Sequence, residues 1–192
     1  TAISHRQVIE LHYHRFVDNH TDLSVNVHPH LLKEYNRRWF LFATAETDNK
    51  FLCFSLDRID KVVTLPSHKY VDYEGDINEK FDDIIGVTIN EESPVYKILF
   101  WVSDVSKDYI ATKPLHESQR NIYGQDEEQL RAKYPALVSG RFFRIDCKEN
   151  YELIRELMSF GQELVVLTPY EIRYKIINRI ENCKKVYQST DL

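Results

Sequence analysis

The sequence predicts a mixed fold in which a small β barrel is followed by an α/β domain that ends in a long helix. Up to about residue 66, short stretches alternate apolar and polar residues, whereas from residue 94 onward this alternation is mixed with helical spacing. Between them, residues 70–92 hold eight acidic residues against one lysine and keep no period. We therefore predict a barrel domain over 1–66, an acidic linker over 67–93 and an α/β domain over 94–192.

The barrel domain is predicted from five short strands. In the opening strand, Ile9, Leu11 and Tyr13 fall on one face at a spacing of two residues. Pro29 is expected to end the second strand, because proline has no N–H to donate to a sheet. Five strands so close together favour closure into a barrel, since a small flat sheet would leave its edges exposed. The predicted strands cover residues 8–16, 23–27, 38–45, 51–56 and 59–65.

The α/β domain is predicted to follow the order β-α-β-β-α-β, which is typical of a ferredoxin-like split βαβ sandwich. Residues 120–136, rich in Gln, Asp and Glu, form a polar insert in this order. Gly161 is the expected C-cap of the second helix. The predicted strands cover residues 96–102, 114–119, 138–146 and 164–167, and the predicted helices cover 104–112 and 151–158.

The C-terminal helix has the strongest local pattern in the chain. Residues 168–171, Thr-Pro-Tyr-Glu, match a capping box with proline at the first helical position. Ile172, Ile176 and Ile180 then form one apolar stripe. The stripe either packs on the sheet of its own domain or is covered by a second copy of the chain, and the pattern alone leaves both open.

The composition indicates an ordinary globular protein, with 43% hydrophobic and 29% charged residues. No apolar run approaches the roughly 18 residues that a membrane helix needs, and no signal segment opens the chain. Cys53, Cys147 and Cys183 are too few and too far apart for a disulfide framework or a thiolate zinc site. We therefore expect a cytoplasmic protein that makes no membrane contact. Because the chain begins with Thr, we also expect a fragment or a processed product.

The sequence contains no pattern typical of an active site. The five glycines are scattered and form no phosphate-binding loop, and no serine lies in a nucleophile elbow. Neither Cys53 nor Cys147 has the local signature of a catalytic thiol. We therefore expect that the protein is not an enzyme and uses no cofactor.

Four histidines offer the best candidate for a metal site. His12 and His14 lie on one predicted strand, and His28 and His30 flank Pro29 near the next. Two such pairs on neighbouring strands would suit zinc. Histidines two residues apart on a strand more often face solvent or a polar pocket, so we expect no bound metal.

Residues 35–40, Tyr-Asn-Arg-Arg-Trp-Phe, place guanidinium groups beside aromatic rings. This combination suits a phosphate, a base or a nucleotide, because arginine donates paired hydrogen bonds and a ring offers a stacking face. The alternative is that Trp39 and Leu41 are core residues and the arginines are solvated. The pattern alone does not decide between the two.

Several of these segments resemble the WYL domain of bacterial transcriptional regulators. Trp39-Phe40-Leu41 is similar to the Trp-Tyr-Leu signature of that family, with Phe in place of Tyr. The later half of the chain resembles the WCX extension that commonly follows a WYL domain, so that the resemblance covers nearly the whole chain. The matching segments are 9–13, 27–32 and 56–59 for the WYL domain, and 114–119 and 150–153 for the extension.

The resemblance implies an Sm-like or SH3-like barrel that senses a nucleotide or nucleic-acid effector, followed by an extension that assists dimerisation. Such regulators usually begin with a winged helix-turn-helix domain, which this chain lacks. We therefore expect a homodimer that reaches operator DNA only through a missing N-terminal domain. The net charge of -5 also argues against tight DNA binding by the chain itself.

The predicted effector pocket consists of Tyr13, Arg37, Arg38, Ser55 and Arg58. The resemblance supplies Tyr13 and Arg58, whereas Arg37 and Arg38 are included because they precede the signature tryptophan. With Trp39 inward in the core, Arg38 would point outward, since successive side chains of a strand face opposite ways.

Two alternatives concern the chemistry of this pocket. Arg58 is equally well explained as a structural residue paired with Asp57 or Asp60. In addition, many family members carry arginine where this chain has Leu52 and Ser55, which makes the pocket less basic and a smaller or less charged ligand more plausible.

Two other functions compete with that of a regulator's sensor. The first is a stand-alone Sm-like module that binds single-stranded nucleic acid. The second is an enzyme, which is the least favoured because no acid/base or nucleophile set is found.

Overall fold

The computed structural model describes residues 1–16 and 22–190. They form two antiparallel sheets and four α-helices, which confirms the predicted mixed fold. The chain divides into two compact units, Thr1–Lys80 and Phe81–Leu192. In the described ranges, no helix combines the length and the apolar character that crossing a membrane requires.

The first unit is built on a five-stranded sheet with the order β4-β3-β2-β1-β5. Ile9, Leu11 and Tyr13 all point into its core, as their spacing predicts. Within the described residues β4 and β5 form no pair with each other, so the predicted closure into a barrel is not found. The strands are β1 (Ile9–Tyr13), β2 (Leu23–Tyr35), β3 (Arg38–Ala45), β4 (Phe51–Ser55) and β5 (Ile59–Thr64).

The prediction that Pro29 ends the second strand is wrong, because β2 continues to Tyr35. Two features of the sheet tolerate the missing N–H. The pairing of β1 with β2 stops at Val27, so in the described part of the chain no strand lies on that side of Pro29. On the other side, the register with β3 shifts between Pro29 and Leu31, which is a bulge.

The segment predicted as an acidic linker contributes to both units. In the first unit, the Tyr70 hydroxyl donates to the Pro29 carbonyl at 2.7 Å, and the Tyr73 ring lies edge-on to Phe51 at 5.5 Å. A 3₁₀ turn follows over Ile77–Phe81. In the second unit, Ile85 is buried within the hydrophobic core.

The second unit is built on a four-stranded antiparallel sheet with the order β7-β8-β6-β9. Its core packs the inner residues of the sheet against the apolar face of α3 and the first turns of α4. The strands are β6 (Val95–Val102), β7 (Arg120–Asn121), β8 (Arg141–Lys148) and β9 (Leu164–Thr168), and the helices are α1 (Lys107–Thr112), α2 (Gly124–Lys133), α3 (Tyr151–Ser159) and α4 (Tyr170–Ser189).

Two local predictions for this unit are wrong. Residues 114–119 form no strand, because side chains bond to their backbone: the Leu115 N–H donates to the Gln119 side chain at 3.0 Å. The capping box of α4 is also absent. The helix begins one residue later than predicted, with Pro169 as an extended N-cap and no side-chain cap.

Candidate functional site

Three of the five predicted site residues meet where β1 and β4 end. Tyr13 is the last residue of β1 and is only 6% exposed. Its ring lies edge-on to Phe54 at 5.1 Å between centroids, and its hydroxyl accepts a hydrogen bond from the Ser55 N–H at 3.3 Å. Burial raises the pKa of the Tyr13 hydroxyl, so it remains protonated and is a fixed polar group in an apolar wall.

Arg58 lies in the 3₁₀ turn that joins β4 to β5 and stacks between two aromatic rings. Its guanidinium carbon is 4.9 Å from the ring centroid of Tyr13 and 4.9 Å from that of Phe16. Such cation–π contacts hold the cation in place without neutralising it. The Arg58 Nε is buried and has no hydrogen-bond partner, and among the described residues the side chain forms no ion pair.

Asp57 connects one further predicted residue, Arg38, to Ser55 and the rest of this cluster. Its carboxylate accepts a hydrogen bond from the Ser55 hydroxyl and lies 3.3 Å from Nη1 of Arg38. The hydrogen bond from Ser55 lowers the pKa of Asp57, and the charges of Arg38 and Arg58 lower it further against the effect of burial. Asp57 thus pairs with Arg38, whereas the sequence suggested Arg58 as its partner.

Arg37 occupies the two-residue turn between β2 and β3. Asn36 and Arg37 have φ values of 49° and 64°, the left-handed pair that a tight hairpin requires. Arg37 is exposed at this turn, and no contact with the other four predicted residues is found in the described parts of the chain. The structure therefore brings four of the predicted residues together and leaves Arg37 at the hairpin tip.

The assignment of Trp39 to the core is wrong, because its side chain is 49% exposed. Pairing of β3 with β4 ends at Phe40 and Ser55, so Trp39 lies beyond the end of β4, and among the described strands only β2 pairs with it. The alternation along β3 therefore does not bury it, and Trp39 and Arg38 are both accessible.

The sequence did not indicate two residues of the cluster, Phe16 and Asp57, as site residues. Asp57 belongs to the Leu-Asp-Arg-Ile segment, and its position next to Arg58 was the available clue. Phe16 lies three residues after Tyr13, outside β1, and no pattern placed its ring against Arg58.

The four histidines considered for zinc do not form one group in the described structure. The buried His28 accepts a hydrogen bond from the Val71 N–H at 3.2 Å, and His30 bonds to Tyr70 and Thr44. His12 lies 3.4 Å from a carboxylate oxygen of Glu10. Each of these rings therefore has a local partner instead of a shared metal geometry.

A different set of side chains offers ligand atoms that lie close together. One atom each of His14, Asp22 and Asp60 lies within 4.8 Å of the others. Both aspartates are exposed, and the His14 ring is already 3.2 Å from Asp22. Exposed groups of this kind satisfy one another without a metal, so we assign no role to them.

The fold and this cluster define a two-domain protein in which a β-sheet unit with an arginine–aromatic site precedes an α/β unit. Comparison with protein families places it more closely. The family model of the WYL domain matches residues 1–64, and that of the WCX domain matches residues 95–183. The chain therefore belongs to the WYL-domain family and carries a WCX domain, which confirms the resemblance seen in the sequence.

The solved structures that are similar to the chain include two that cover nearly all of it. The proteasome accessory factor B/C (PafBC) of Arthrobacter aurescens is 18% identical over 94% of this chain and 25% of its own, with a TM-score of 0.38. A CRISPR Cas-related protein is 10% identical over 98% of this chain and 50% of its own, with a TM-score of 0.53. The second likeness supports a shared fold, and the chain spans at most half of either protein. No curated protein matches the chain significantly.

Proposed function

We propose that the chain is the effector-sensing and dimerisation region of a WYL-domain transcriptional regulator, and that it binds a nucleotide or nucleic-acid-like ligand through the first unit. The observation that carries this proposal is the stacked guanidinium of Arg58, whose Nε is buried without a partner. Because no ion pair among the described residues neutralises this guanidinium, an anion that reaches it gains a charge-assisted hydrogen bond.

The surroundings of Arg58 favour a nucleotide over a simple anion. Phe16 lies against one face of the guanidinium, with its ring centroid 4.9 Å from the guanidinium carbon, and is 64% exposed. An exposed aromatic ring near a cation offers a base a stacking surface while the cation binds the phosphate. The same features support the alternative of a stand-alone module that binds single-stranded nucleic acid.

The binding experiment compares Arg58→Ala and Arg38→Ala with Arg155→Ala. Arg155 also lies over a tyrosine ring, at 5.9 Å from Tyr151, but belongs to the second unit. We expect Arg58→Ala to weaken binding of adenosine 5′-monophosphate or a short oligothymidylate about tenfold or more, as for one hydrogen bond to a charged group. Arg155→Ala should bind as the wild type does. Unchanged affinity in both first-unit variants, with folding verified by circular dichroism, would refute the assignment.

We assign the first unit to the Sm-like class and the second to the ferredoxin-like class. The strand order β7-β8-β6-β9, with α1 and α3 as the crossovers, agrees with a split βαβ arrangement. An experimental structure in which β4 and β5 pair would establish the barrel. The three cysteines are free, which favours a reducing compartment such as the cytoplasm.

We further propose that the regulator is a homodimer formed through the second unit, with DNA binding supplied by an N-terminal helix-turn-helix. The apolar stripe of α4 supports this proposal because only its beginning is covered. Ile172 is fully buried, whereas Ile180, Val186 and Tyr187 are exposed. A groove of about 330 Å³ beside Ile180, lined mainly by apolar side chains, gives a second copy a surface to fill.

Sedimentation equilibrium at micromolar concentration tests the dimer. We expect a dimer for the wild type and dissociation for Ile180→Asp, because a charge on the apolar face opposes burial. Val138→Asp is the matched control, since Val138 is an exposed apolar residue of the same unit that is not part of α4. A clean 22.9 kDa monomer of the wild type would contradict the proposal.

A further inference from the structure

The carboxylate of Asp57 contacts two of the side chains to which we assign effector binding. One oxygen accepts the hydroxyl hydrogen of Ser55, and the other lies 3.3 Å from the guanidinium of Arg38. Ser55 is buried, so the side-chain bond from its hydroxyl is directed inside the cluster. Without a ligand, the donors that would bind an anion are therefore already engaged by an anion of the chain itself.

These contacts are of a kind that a phosphate group can replace. Carboxylate and phosphate oxygens accept the same hydrogen bonds from a hydroxyl and a guanidinium, and phosphate offers more of them. The side chains of Arg38 and Asp57 are 59% and 48% exposed, and a pair exposed to this degree contributes at most about 1 kcal/mol. Loss of this ion pair is therefore inexpensive, and a phosphate oxygen can accept the Ser55 hydrogen bond in place of the carboxylate.

Arg58 explains why an incoming phosphate would prevail. It is adjacent to Asp57 in the chain, yet its guanidinium is stacked between Tyr13 and Phe16 and forms no ion pair among the described residues. A phosphate at the cluster would contact Arg38 and Arg58 together, whereas Asp57 is paired with Arg38 alone. The two anions cannot share the site, because like charges at contact distance repel.

We propose that Asp57 is an internal competitor that holds Ser55 and Arg38 in the ligand-free protein and is displaced by the phosphate group of the effector. The inference rests on the proposed function and adds its regulation. Asp57 lies in the 3₁₀ turn Leu56–Arg58, which leads directly into β5. Displacement therefore changes the side-chain contacts of the turn between two strands, and ligand binding is coupled to the backbone there.

The test is calorimetric binding of adenosine 5′-monophosphate, adenosine and inorganic phosphate to the whole chain. Asp57→Asn keeps the shape of the side chain but removes its charge, and Asp60→Asn removes an equal charge from an exposed residue three positions along. We expect Asp57→Asn to bind adenosine 5′-monophosphate about fivefold more tightly than Asp60→Asn does, the equivalent of one partly exposed ion pair. Binding of adenosine should not change. The affinity for inorganic phosphate, compared with that for adenosine 5′-monophosphate, distinguishes a simple anion site from a nucleotide site.

A double-mutant cycle shows whether the gain depends on Arg38. In an Arg38→Gln background, Asp57→Asn should increase the affinity for adenosine 5′-monophosphate no more than the control Asp60→Asn does. If Asp57→Asn is unstable by circular dichroism, Asp57→Ser replaces it with the same expectation.

The outcomes separate this inference from the proposed function. If Asp57→Asn and Asp60→Asn bind adenosine 5′-monophosphate with equal affinity while the wild type binds it through Arg58, the role of Asp57 as a competitor is refuted. The proposed function is then unaffected. If no protein of the set binds adenosine 5′-monophosphate, phosphate or oligothymidylate, both are overturned.

Discussion

Protonation of His30 should destabilise the first unit. Its ring nitrogens bond to the Tyr70 hydroxyl at 3.1 Å and the Thr44 hydroxyl at 2.8 Å. Because the Tyr70 hydroxyl donates to a carbonyl, His30 Nδ1 must donate to Tyr70, and Nε2 then accepts from Thr44. This is the neutral ring. Burial, and then the charge of His28, lower the pKa of His30 from 6.5 to about 4.

The sign and size of the effect follow from proton linkage. Between pH 6.5 and 4 the unfolded chain binds a proton at His30 that the folded chain does not, so the free energy of unfolding falls as the pH falls. At about 1.4 kcal/mol per pKa unit, the full shift sets a ceiling of about 3 kcal/mol. The ring is partly exposed, so we expect a loss of about 1 kcal/mol between pH 7 and pH 5.

Urea unfolding monitored by tryptophan fluorescence measures this loss. The two tryptophans are Trp39 in the first unit and Trp101 in the second, so a Trp101→Phe background reports the first unit alone. His30→Gln should lose less stability than its parent between pH 7 and pH 5, because glutamine does not titrate. The exposed His5, changed to Gln, is the control. An equal pH-dependent loss with and without His30 would refute the reasoning.

Two further predictions concern the second unit, each measured by thermal unfolding. Asn150→Ala should destabilise the unit by about 1–3 kcal/mol. The Asn150 side chain caps α3 by accepting from the Leu153 N–H at 2.8 Å, and its amide donates to the Ile85 carbonyl at 2.8 Å. A change in stability within experimental error would contradict this. Gly86→Ala should also lower the melting temperature, since Gly86 has a φ of 86° and an added Cβ would lie 2.6 Å from Glu152 Cγ. An unchanged melting temperature would show that the loop relaxes freely.

Alternating residues were sufficient to predict the sheet of the first unit. The prediction for β3 has the observed bounds, Arg38–Ala45, because a tight turn precedes it and another follows. The prediction failed at Pro29, where the rule for proline assumes that the strand is paired on both sides. Whether a neighbour is present depends on the length of β1, which the residues around Pro29 do not encode.

In the second unit, too, residue patterns fail to predict an element that depends on pairing with a distant strand. β7 has only two residues, Arg120–Asn121, which is too short to show any period. The helix α3 was predictable because its apolar spacing continues over more than two turns. Patterns therefore identified the elements that bury a continuous face and missed those that depend on a single pairing.

The residues of the candidate site were predictable in part, and the contacts between them were not. The matching family segments contain Tyr13 and Arg58, and the structure places these two side chains together. The pairing of Asp57 with Arg38 was not predictable, because it joins the start of β3 to the turn that follows β4. Only the register of β3 on β4 brings those two positions near each other.

The exposure of Trp39 bears on which ligand the site favours. The sequence left two explanations for the Arg-Arg-Trp segment, a packed core residue or an accessible ring beside cations. A buried tryptophan would be explained by packing alone, whereas an exposed one is not. The end of β4 at Ser55 removes the neighbour that would have covered it. Core packing therefore does not explain Trp39, which is consistent with our proposal of a ligand that combines a flat ring with a phosphate.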